Sequence, residues 1–275
     1  MNGGIIETSY FYGNSKPKNI IVISSQIGCP AQCTFCELGN ERFVRNLSPE
    51  EMYEQVILIL QQADRYSIDI NAVKHKVTIA NSGEPLFNKQ LVEGLEKIAL
   101  FGFSFKISTI FPSGTHPNFS NIAAFASAYQ EPVQIQVSLI STSEEYQKKT
   151  LGIKAASFYE IRQAAYWEEK NPTGRKINLS LILTEDTPCD VNEVHQIFPP
   201  EVFRFRFRNY VPTQNGELHR LCTITQQRFE QIKKQFHDNG YEVGDWATPT
   251  QIEQRFGLAA NVIRKRYLEW ILSCK

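Results

Sequence analysis

The sequence predicts an α/β fold, built as a single domain in which parallel strands form an open or closed barrel with helices outside. Short apolar or alternating runs recur six times, and a segment of helical periodicity follows each of them. Strict alternation of this kind implies a parallel sheet with right-handed crossovers. The 275 residues, 42% of them hydrophobic, are enough to bury one large core. We expect the core over about residues 19–210 and a C-terminal extension over 211–275.

The six predicted strands are short runs rich in β-branched and aromatic residues, bounded by turn residues. They lie at residues 19–25, 76–80, 104–109, 133–139, 176–183 and 202–208. A short further strand is expected over residues 241–244. Because ligands bind at the carboxyl ends of parallel strands, we expect functional groups in the loops that follow these strands.

The predicted helices begin at capping residues. The first is expected to start at Ser48, with Pro49 in the first helical position and Glu51 closing a capping box. Other helices are expected from residue 88, near residues 119–128, and at capping signals that begin at residues 157, 190 and 225. The tail from residue 248 is expected to form one or two terminal helices.

Charge and composition exclude several classes of protein. Lys and Arg total 29 and Asp and Glu total 29, so the formal net charge is zero. No overall field would attract nucleic acid or anionic lipid, and nucleic acid is therefore an unfavoured partner without being excluded. The composition does not fit collagen, a coiled coil or a disordered chain. We expect a cytoplasmic protein without membrane contact, since the sequence shows no leader pattern and no apolar run of bilayer length.

Three of the six cysteines are clustered. Cys29, Cys33 and Cys36 follow the first predicted strand with the spacing C-x3-C-x2-C. Three thiolates on one loop can hold three irons of a [4Fe-4S] cluster and leave the fourth iron without a protein ligand. A structural zinc site would need a fourth ligand, and the first histidine downstream is His75. Three unrelated reduced thiols are the remaining alternative.

This spacing, with Phe35 directly before the third cysteine, resembles the radical S-adenosylmethionine (radical SAM) superfamily. The resemblance implies a partial (β/α)6 TIM-like barrel of the radical SAM type, with a [4Fe-4S] cluster and S-adenosyl-L-methionine (SAM) as cofactors. It implies that the open iron binds the methionyl amine and carboxylate of SAM. One electron then cleaves SAM to a 5′-deoxyadenosyl radical, which abstracts a hydrogen atom from the substrate.

The resemblance also implies contacts to SAM at the ends of four strands. Similar motifs place Phe35 near the adenine, and Gly83 and Glu84 near the SAM ammonium. The alternative for these last two residues is a plain Gly-Glu-Pro turn. Ser108 and Ser138 match serines of the family's SAM-binding turns. The histidine that follows the second of these serines in the family is replaced here by an isoleucine at position 140.

Longer segments resemble one branch of the superfamily, the RlmN and Cfr group of RNA adenine methyl synthases. In chain order they are SSQIGCPAQCTFCELGNERFVRNLSPEE, GEPLFN, VSLISTSEE and IEQRFGLAA. Two departures count against that group's reaction. Only a short segment precedes Cys29, where the group carries an accessory RNA-contacting domain, and Phe256 stands where the group has its methyl-carrying cysteine. A phenyl ring cannot carry the methyl group, so methylation by that route is not expected.

The remaining cysteines are scattered. Cys189 follows the fifth predicted strand, and a role as hydrogen donor is one interpretation. Cys222 lies in a loop beyond the sixth strand, and Cys274 lies near the C-terminus. A buried, inert thiol is the commoner state for such lone residues.

The sixth predicted strand alternates phenylalanine with arginine. Phenylalanines on one face would pack under the outer helices, which leaves Arg204, Arg206 and Arg208 facing the barrel lumen. Buried guanidinium groups need anions, and a carboxylate or phosphate of the substrate would supply one. The alternative is an edge strand whose arginines are solvated or paired structurally.

These patterns favour a radical SAM enzyme, an oxidoreductase, lyase or transferase, acting on a small substrate that could be anionic. The expected reactions are rearrangement, elimination, epimerisation or decarboxylation, with an external electron donor such as flavodoxin or ferredoxin. The alternative is an RNA-modifying enzyme related to the RlmN and Cfr group with a changed mechanism. A third hypothesis is a non-catalytic iron-sulfur or zinc protein.

Overall fold

A computed structural model of the chain describes residues 4–11, 18–67, 74–165 and 175–245, together with residue 273. Ten strands and eight α-helices lie in this part of the chain. The strands are β1 (Ser9–Phe11), β2 (Lys18–Ile23), β3 (Gln26–Ile27), β4 (Arg45–Asn46), β5 (Lys74–Ile79), β6 (Ser104–Thr109), β7 (Val133–Ile140), β8 (Ile177–Leu183), β9 (Phe203–Asn209) and β10 (Val243–Asp245).

The helices alternate with the strands as the sequence predicts. They are α1 (Pro49–Arg65), α2 (Leu91–Ala99), α3 (His116–Ala128), α4 (Glu144–Thr150), α5 (Phe158–Ala165), α6 (Val191–His195), α7 (Gln214–Leu218) and α8 (Gln226–Asp238). Helix α1 begins with the predicted capping box, in which Ser48 accepts a hydrogen bond from the Glu51 amide and the Glu51 carboxylate accepts one from the Ser48 amide. Helices α4 and α7 are not predicted, because each is too short to show helical periodicity.

The main sheet is mostly parallel. Its strand order is β1-β2-β5-β6-β7-β8-β9-β10, and every neighbouring pair except β1 and β2 is parallel. The six predicted strands correspond to β2 and β5 to β9, so the predicted α/β alternation is confirmed. Strands β3 and β4 form a separate antiparallel pair that flanks the cysteine segment.

Two faces of the sheet differ in polarity because side chains alternate along each strand. One face is apolar and packs under the helices; Phe205, for example, meets Phe236 of α8 with ring centroids 4.5 Å apart. We call the opposite face the polar face. From the strand register, its members on β5 to β9 include Lys76, Thr78, Lys106, Ser108, Gln134, Gln136, Ser138, Asn178, Ser180, Arg204, Arg206 and Arg208.

Some predicted boundaries are wrong by a few residues. Helix α2 begins at Leu91 rather than at residue 88, because Asn88 is used to bind the carbonyl oxygens of Ser25 and Leu47. At α6 the predicted capping box is incomplete, since the Glu193 carboxylate accepts a hydrogen bond from Thr142 instead. The predicted terminal helices lie outside the described residues. Among the helices that are described, none has the length and hydropathy needed to span a bilayer.

Candidate active site

The cysteine loop lies at the carboxyl end of the main sheet. Ala31 and Cys33 are buried against Ile110, which follows β6, and against Ile140 at the end of β7. Backbone hydrogen bonds tie the loop to the segment after β7, since the Thr34 amide donates to the Thr150 carbonyl at 2.9 Å. The loop therefore sits where the predicted SAM-binding strands end.

Burial dominates the electrostatics of the three thiols. Burial is the main cause that raises the pKa of Cys29 to about 12; hydrogen bonds from backbone amides oppose this rise, and the charge of Cys36 contributes to it. Burial, followed by the charges of Cys36 and Cys29, raises the pKa of Cys33 well above its usual value. Burial also raises the pKa of Cys36, and Arg208 is among the groups that oppose this. Repulsion from the other thiolates adds to the effect of burial at Cys29 and Cys33, and a bound cation would favour the thiolate form.

The donor set fits an iron-sulfur cluster. All three cysteines are free of disulfides and lie on one loop. Within the described residues, no group of three or more His, Cys, Asp or Glu side chains is arranged to hold a single metal ion. A [4Fe-4S] cluster places each thiolate on a different iron, so it does not require the thiolates to converge on one ion. Iron at this position would stabilise the thiolates, which burial disfavours.

Gly83 and Glu84 form a tight turn after β5. Gly83 has a φ of +107°, and a Cβ at this position would lie 2.6 Å from the Cβ of Gln26. Only glycine fits this turn without strain. The Glu84 amide donates to the Gln26 side chain at 2.8 Å, and a short 3₁₀ turn, Pro85–Phe87, follows. The backbone at Gly83 and Glu84 therefore forms the Gly-Glu-Pro turn that the sequence analysis gave as the alternative.

The Glu84 carboxylate is buried and accepts three hydrogen bonds. The donors are the Leu86 amide at 3.0 Å, the Ile110 amide at 2.9 Å and the Thr109 hydroxyl at 2.5 Å. Burial raises the pKa of Glu84 to about 7, although these hydrogen bonds lower it. The carboxylate therefore joins the loop after β5 to the loop after β6. Its contact to SAM stays a prediction.

Ser108 and Ser138 lie half-buried on the polar face, near the carboxyl ends of β6 and β7. Ser108 is 3.5 Å from the Gln136 amide nitrogen. Two residues beyond Ser138, Ile140 has a φ of +69° and is buried in the apolar cluster that supports the cysteine loop. Isoleucine therefore has a packing role where the family has its histidine. The SAM contacts of the two serines stay predictions.

A second segment, missed in the sequence, contacts the cysteine loop. After β9, the Asn215 side-chain amide donates to the Cys33 carbonyl at 3.0 Å, and the Thr213 hydroxyl donates to the Phe35 carbonyl at 3.2 Å. The Gln214 amide donates to the Glu37 carboxylate at 2.9 Å. The polar residues Thr213, Gln214 and Asn215 follow the sixth predicted strand. They could have indicated this contact in the sequence, because loops at the carboxyl ends of parallel strands lie close together. Phe35 is thus positioned through its backbone, and its predicted adenine contact is untested.

Strand β9 has the predicted two faces. Phe203, Phe205 and Phe207 are fully buried on the helix side, and the arginines lie on the polar face. Strand β9 is not the edge of the sheet, because β10 pairs with it on its outer side. The structural pairing that the alternative also allowed is present at Arg204, whose Nη1 lies 4.0 Å from the Glu242 carboxylate. Arg204 bonds to Asn178, and Arg208 lies close enough to Cys36 for their charges to interact.

Cys189 lies in the loop between β8 and α6. It packs against the core between the sheet and the helices. Burial raises the pKa of Cys189 to about 12, and the positive charge of Arg228 opposes this rise. This environment is typical of an inert thiol, and the role of hydrogen donor stays untested. Cys222 is exposed. Cys274 and Phe256 lie outside the described residues.

No protein-family model matches the chain. Curated proteins named as RlmN RNA methyltransferases do match it. The probable dual-specificity RNA methyltransferase RlmN of Christiangramia forsetii is 28% identical over 204 residues, covering 72% of this chain and 53% of that protein. The RlmN protein of Carboxydothermus hydrogenoformans is 26% identical over 230 residues, covering 82% of this chain and 62% of that protein. The chain spans about half the length of the curated relatives it matches.

Solved structures share the fold. A radical SAM methyltransferase from Sphaerobacter thermophilus superposes with a TM-score of 0.76 at 16% identity, covering 95% of this chain and 74% of that one. The chain is thus similar to radical SAM enzymes in fold and to RlmN proteins in sequence. The predicted radical SAM fold, a partial (β/α)6 TIM-like barrel, is confirmed, as is the resemblance to RlmN. A second radical SAM structure, Streptococcus suis SuiB bound to S-adenosylmethionine, has a TM-score of 0.57 at 15% identity, covering 86% of this chain and 51% of that one.

Proposed function

We propose that this protein is a radical SAM enzyme that holds a [4Fe-4S] cluster on Cys29, Cys33 and Cys36 and binds SAM beside it. The observation that carries the proposal is the placement of three free thiols at the carboxyl end of the sheet, next to the ends of the strands with Ser108 and Ser138. When bound, the cluster and SAM supply a 5′-deoxyadenosyl radical that abstracts a hydrogen atom from the substrate.

The chain's own residues would bind the cluster, orient SAM and shield the thiolates from water. The cysteine loop is buried at Cys33 and partly buried at Cys29 and Cys36, which limits access of water to the thiolates. Glu84 holds two loops together through its three hydrogen bonds, so its backbone and Gly83 are fixed where the SAM ammonium is predicted to bind. The hydroxyls of Ser108 and Ser138 can each donate and accept a hydrogen bond toward SAM. Arg208 offsets negative charge at Cys36.

Two substrate classes follow from different observations. The curated relatives are named as RNA methyltransferases, which supports an RNA nucleotide as the substrate. Phe256 in place of the methyl-carrying cysteine supports a different reaction, and the small substrate with an anionic group is the second candidate. In both cases we propose a cytoplasmic enzyme that takes its electron from an external donor such as flavodoxin or ferredoxin.

Anaerobic reconstitution tests the enzyme proposal. We expect a brown protein with about four irons per chain that cleaves SAM to 5′-deoxyadenosine after reduction with dithionite. Cys33→Ala should lose the cluster and the cleavage, whereas Cys222→Ala, which changes an exposed cysteine of the same chain, should keep both. A colourless, zinc-loaded protein would contradict the proposal and support the non-catalytic alternative.

A gel-shift titration separates the two substrate classes. RNA held by phosphate contacts must bind more weakly as salt rises, because cation release drives the binding. Salt-dependent binding of an RNA hairpin to the reconstituted enzyme would support the RNA substrate. Absence of RNA binding at low salt would remove that candidate and leave the small anionic substrate.

A further inference from the structure

Residues 210–216, which lead from β9 into α7, hold the cysteine loop at two of its backbone carbonyls. The Asn215 amide donates to the Cys33 carbonyl at 3.0 Å, and the Thr213 hydroxyl donates to the Phe35 carbonyl at 3.2 Å. Cys33 is one of the three proposed cluster ligands, and Phe35 is the residue predicted to lie near the adenine of SAM. One short segment therefore contacts both parts of the proposed cofactor site.

This segment is itself fixed by the sheet. The Tyr210 amide donates to the Leu183 carbonyl at the end of β8, at 3.1 Å, and the buried Tyr210 hydroxyl accepts a hydrogen bond from the Thr213 amide at 3.0 Å. A Cβ on Gly216 would overlap that hydroxyl, so glycine makes room for the tyrosine. Thr213 is thus held in place by ordered strands, which is the arrangement that keeps a supporting residue precise.

The cysteine loop leaves room for Asn215. A Cβ on Gly39 would overlap the Asn215 amide nitrogen and the Cys33 carbonyl oxygen. Asn215 is 2% exposed, and its amide oxygen is buried without a hydrogen-bond partner among the described residues. A buried amide whose oxygen is unsatisfied stabilises the fold poorly, because the lost hydration of that oxygen opposes folding. The contact to Cys33 therefore favours a positioning role over a purely structural one.

We propose that Asn215 and Thr213 are positioning residues for the two cofactors. Asn215 holds the backbone of Cys33 so that this ligand keeps its place on the cluster, and Thr213 holds the backbone of Phe35 so that it can contact the adenine of SAM. The inference rests on the proposed function, because it assigns both cofactors to this site. Groups that are ordered before binding lose less entropy on binding, so loss of either hydrogen bond should weaken the cofactor that it serves.

Release of iron tests Asn215 on the anaerobically reconstituted full chain. With excess chelator, Asn215→Ala should lose its iron at least about fivefold faster than wild type, which is the effect of one hydrogen bond on the opening of the loop. The reduction potential of its cluster should also rise, because water that enters the opened loop favours the reduced cluster with its additional negative charge. The matched control is Asn239→Ala, which removes the hydrogen bond from an exposed asparagine amide to the Gln235 carbonyl of α8 and should keep both wild-type values.

Calorimetric titration with SAM tests Thr213 on the same loaded chain. Thr213→Val removes the hydroxyl and should weaken SAM binding at least about fivefold, whereas Thr213→Ser keeps a hydroxyl and should bind SAM within about twofold of wild type. Thr213 also caps α7. The matched control is therefore Thr225→Val, which removes the threonine cap of α8 and should leave SAM affinity unchanged.

Each outcome supports or overturns the inference. Wild-type iron release in Asn215→Ala, or faster release with an unchanged potential, overturns the role of Asn215. Wild-type SAM affinity in Thr213→Val, or equal weakening in Thr213→Ser, overturns the role of Thr213.

Failure of the proposed function is recognised separately. If the wild-type chain holds a cluster and cleaves SAM while the variants match it, the positioning roles fail and the proposed function stands. If the variants behave as expected but the wild-type chain does not cleave the SAM that it binds, the positioning roles stand and the proposed function fails. A wild-type chain that holds no cluster overturns both.

Discussion

The contact between Asn215 and the cysteine loop leads to a prediction that needs no bound cofactor. Asn215 is 2% exposed, and its amide nitrogen donates to the Cys33 carbonyl at 3.0 Å. The substitution Asn215→Ala removes this donor, whereas the Cys33 carbonyl keeps its hydrogen bond from the Cys36 amide at 3.1 Å. The loop therefore loses one hydrogen bond and gains a small cavity but keeps its own turn.

The expected magnitude follows from these contacts. One hydrogen bond contributes about 1 kcal/mol, and the lost packing of a buried side chain adds to it, so we expect the loop to be destabilised by roughly 1–2 kcal/mol. That range corresponds to about a 5- to 30-fold increase in the population of the open loop. When opening is fast relative to chemical modification, the modification rate increases by the same factor.

Alkylation of the cluster-free protein measures this population. Iodoacetamide labelling of Cys33, followed by mass spectrometry of its peptide, should be faster in Asn215→Ala by the factor above. Cys222 is exposed in the same chain and serves as the internal reference, since its rate should not change. The matched control is Asn192→Ala, an exposed asparagine whose side-chain amide donates to the carboxylate of Asp190, the N-cap of α6. A wild-type rate at Cys33 in Asn215→Ala would refute the reasoning.

Three further predictions concern stability. Gly83→Ala places a Cβ at a φ of +107° and 2.6 Å from the Cβ of Gln26, so urea unfolding should show a loss of about 2–4 kcal/mol; an unchanged midpoint would contradict the described turn. Ser48→Ala removes the cap of α1 and should cost about 0.5–2 kcal/mol in the same assay, and wild-type stability would show that the capping box does not contribute. Burial raises the pKa of Tyr241 from 10.0 to about 12, and its hydroxyl donates to the Phe198 carbonyl at 2.5 Å. Because the unfolded chain releases this proton first, wild-type stability should fall as pH rises from about 10 to 12, and Tyr241→Phe should show a shallower fall; equal slopes would refute the shift.

Local pattern was enough to predict much of this fold and part of its site. The helix start at Ser48 and the two faces of β9 follow from capping chemistry and from the period of two along a strand, which involve only neighbouring residues. The clustered cysteines were equally visible, because all three lie on one loop. Short helices such as α4 were missed, since one or two turns do not establish a periodicity.

The roles of individual polar residues were harder to predict because their partners are far away in the chain. Glu84 was expected to face SAM, but nothing in its own segment shows that Thr109 and the Ile110 amide would bond to its carboxylate. Lys106 carries no local signal at all. Only the register of the strands places it on the polar face with Arg204 and Arg206 of β9.

The sequence by itself determined the resemblance to radical SAM enzymes, the α/β alternation and the three clustered thiols, because each of these depends on local spacing and periodicity. The tertiary structure alone decided which polar groups meet. Asn215 and Cys33 are 182 residues apart and yet hydrogen-bonded, because parallel strands bring the loops at their carboxyl ends together. The polar face arises in the same way, from strand register, which brings together residues that no local sequence pattern connects.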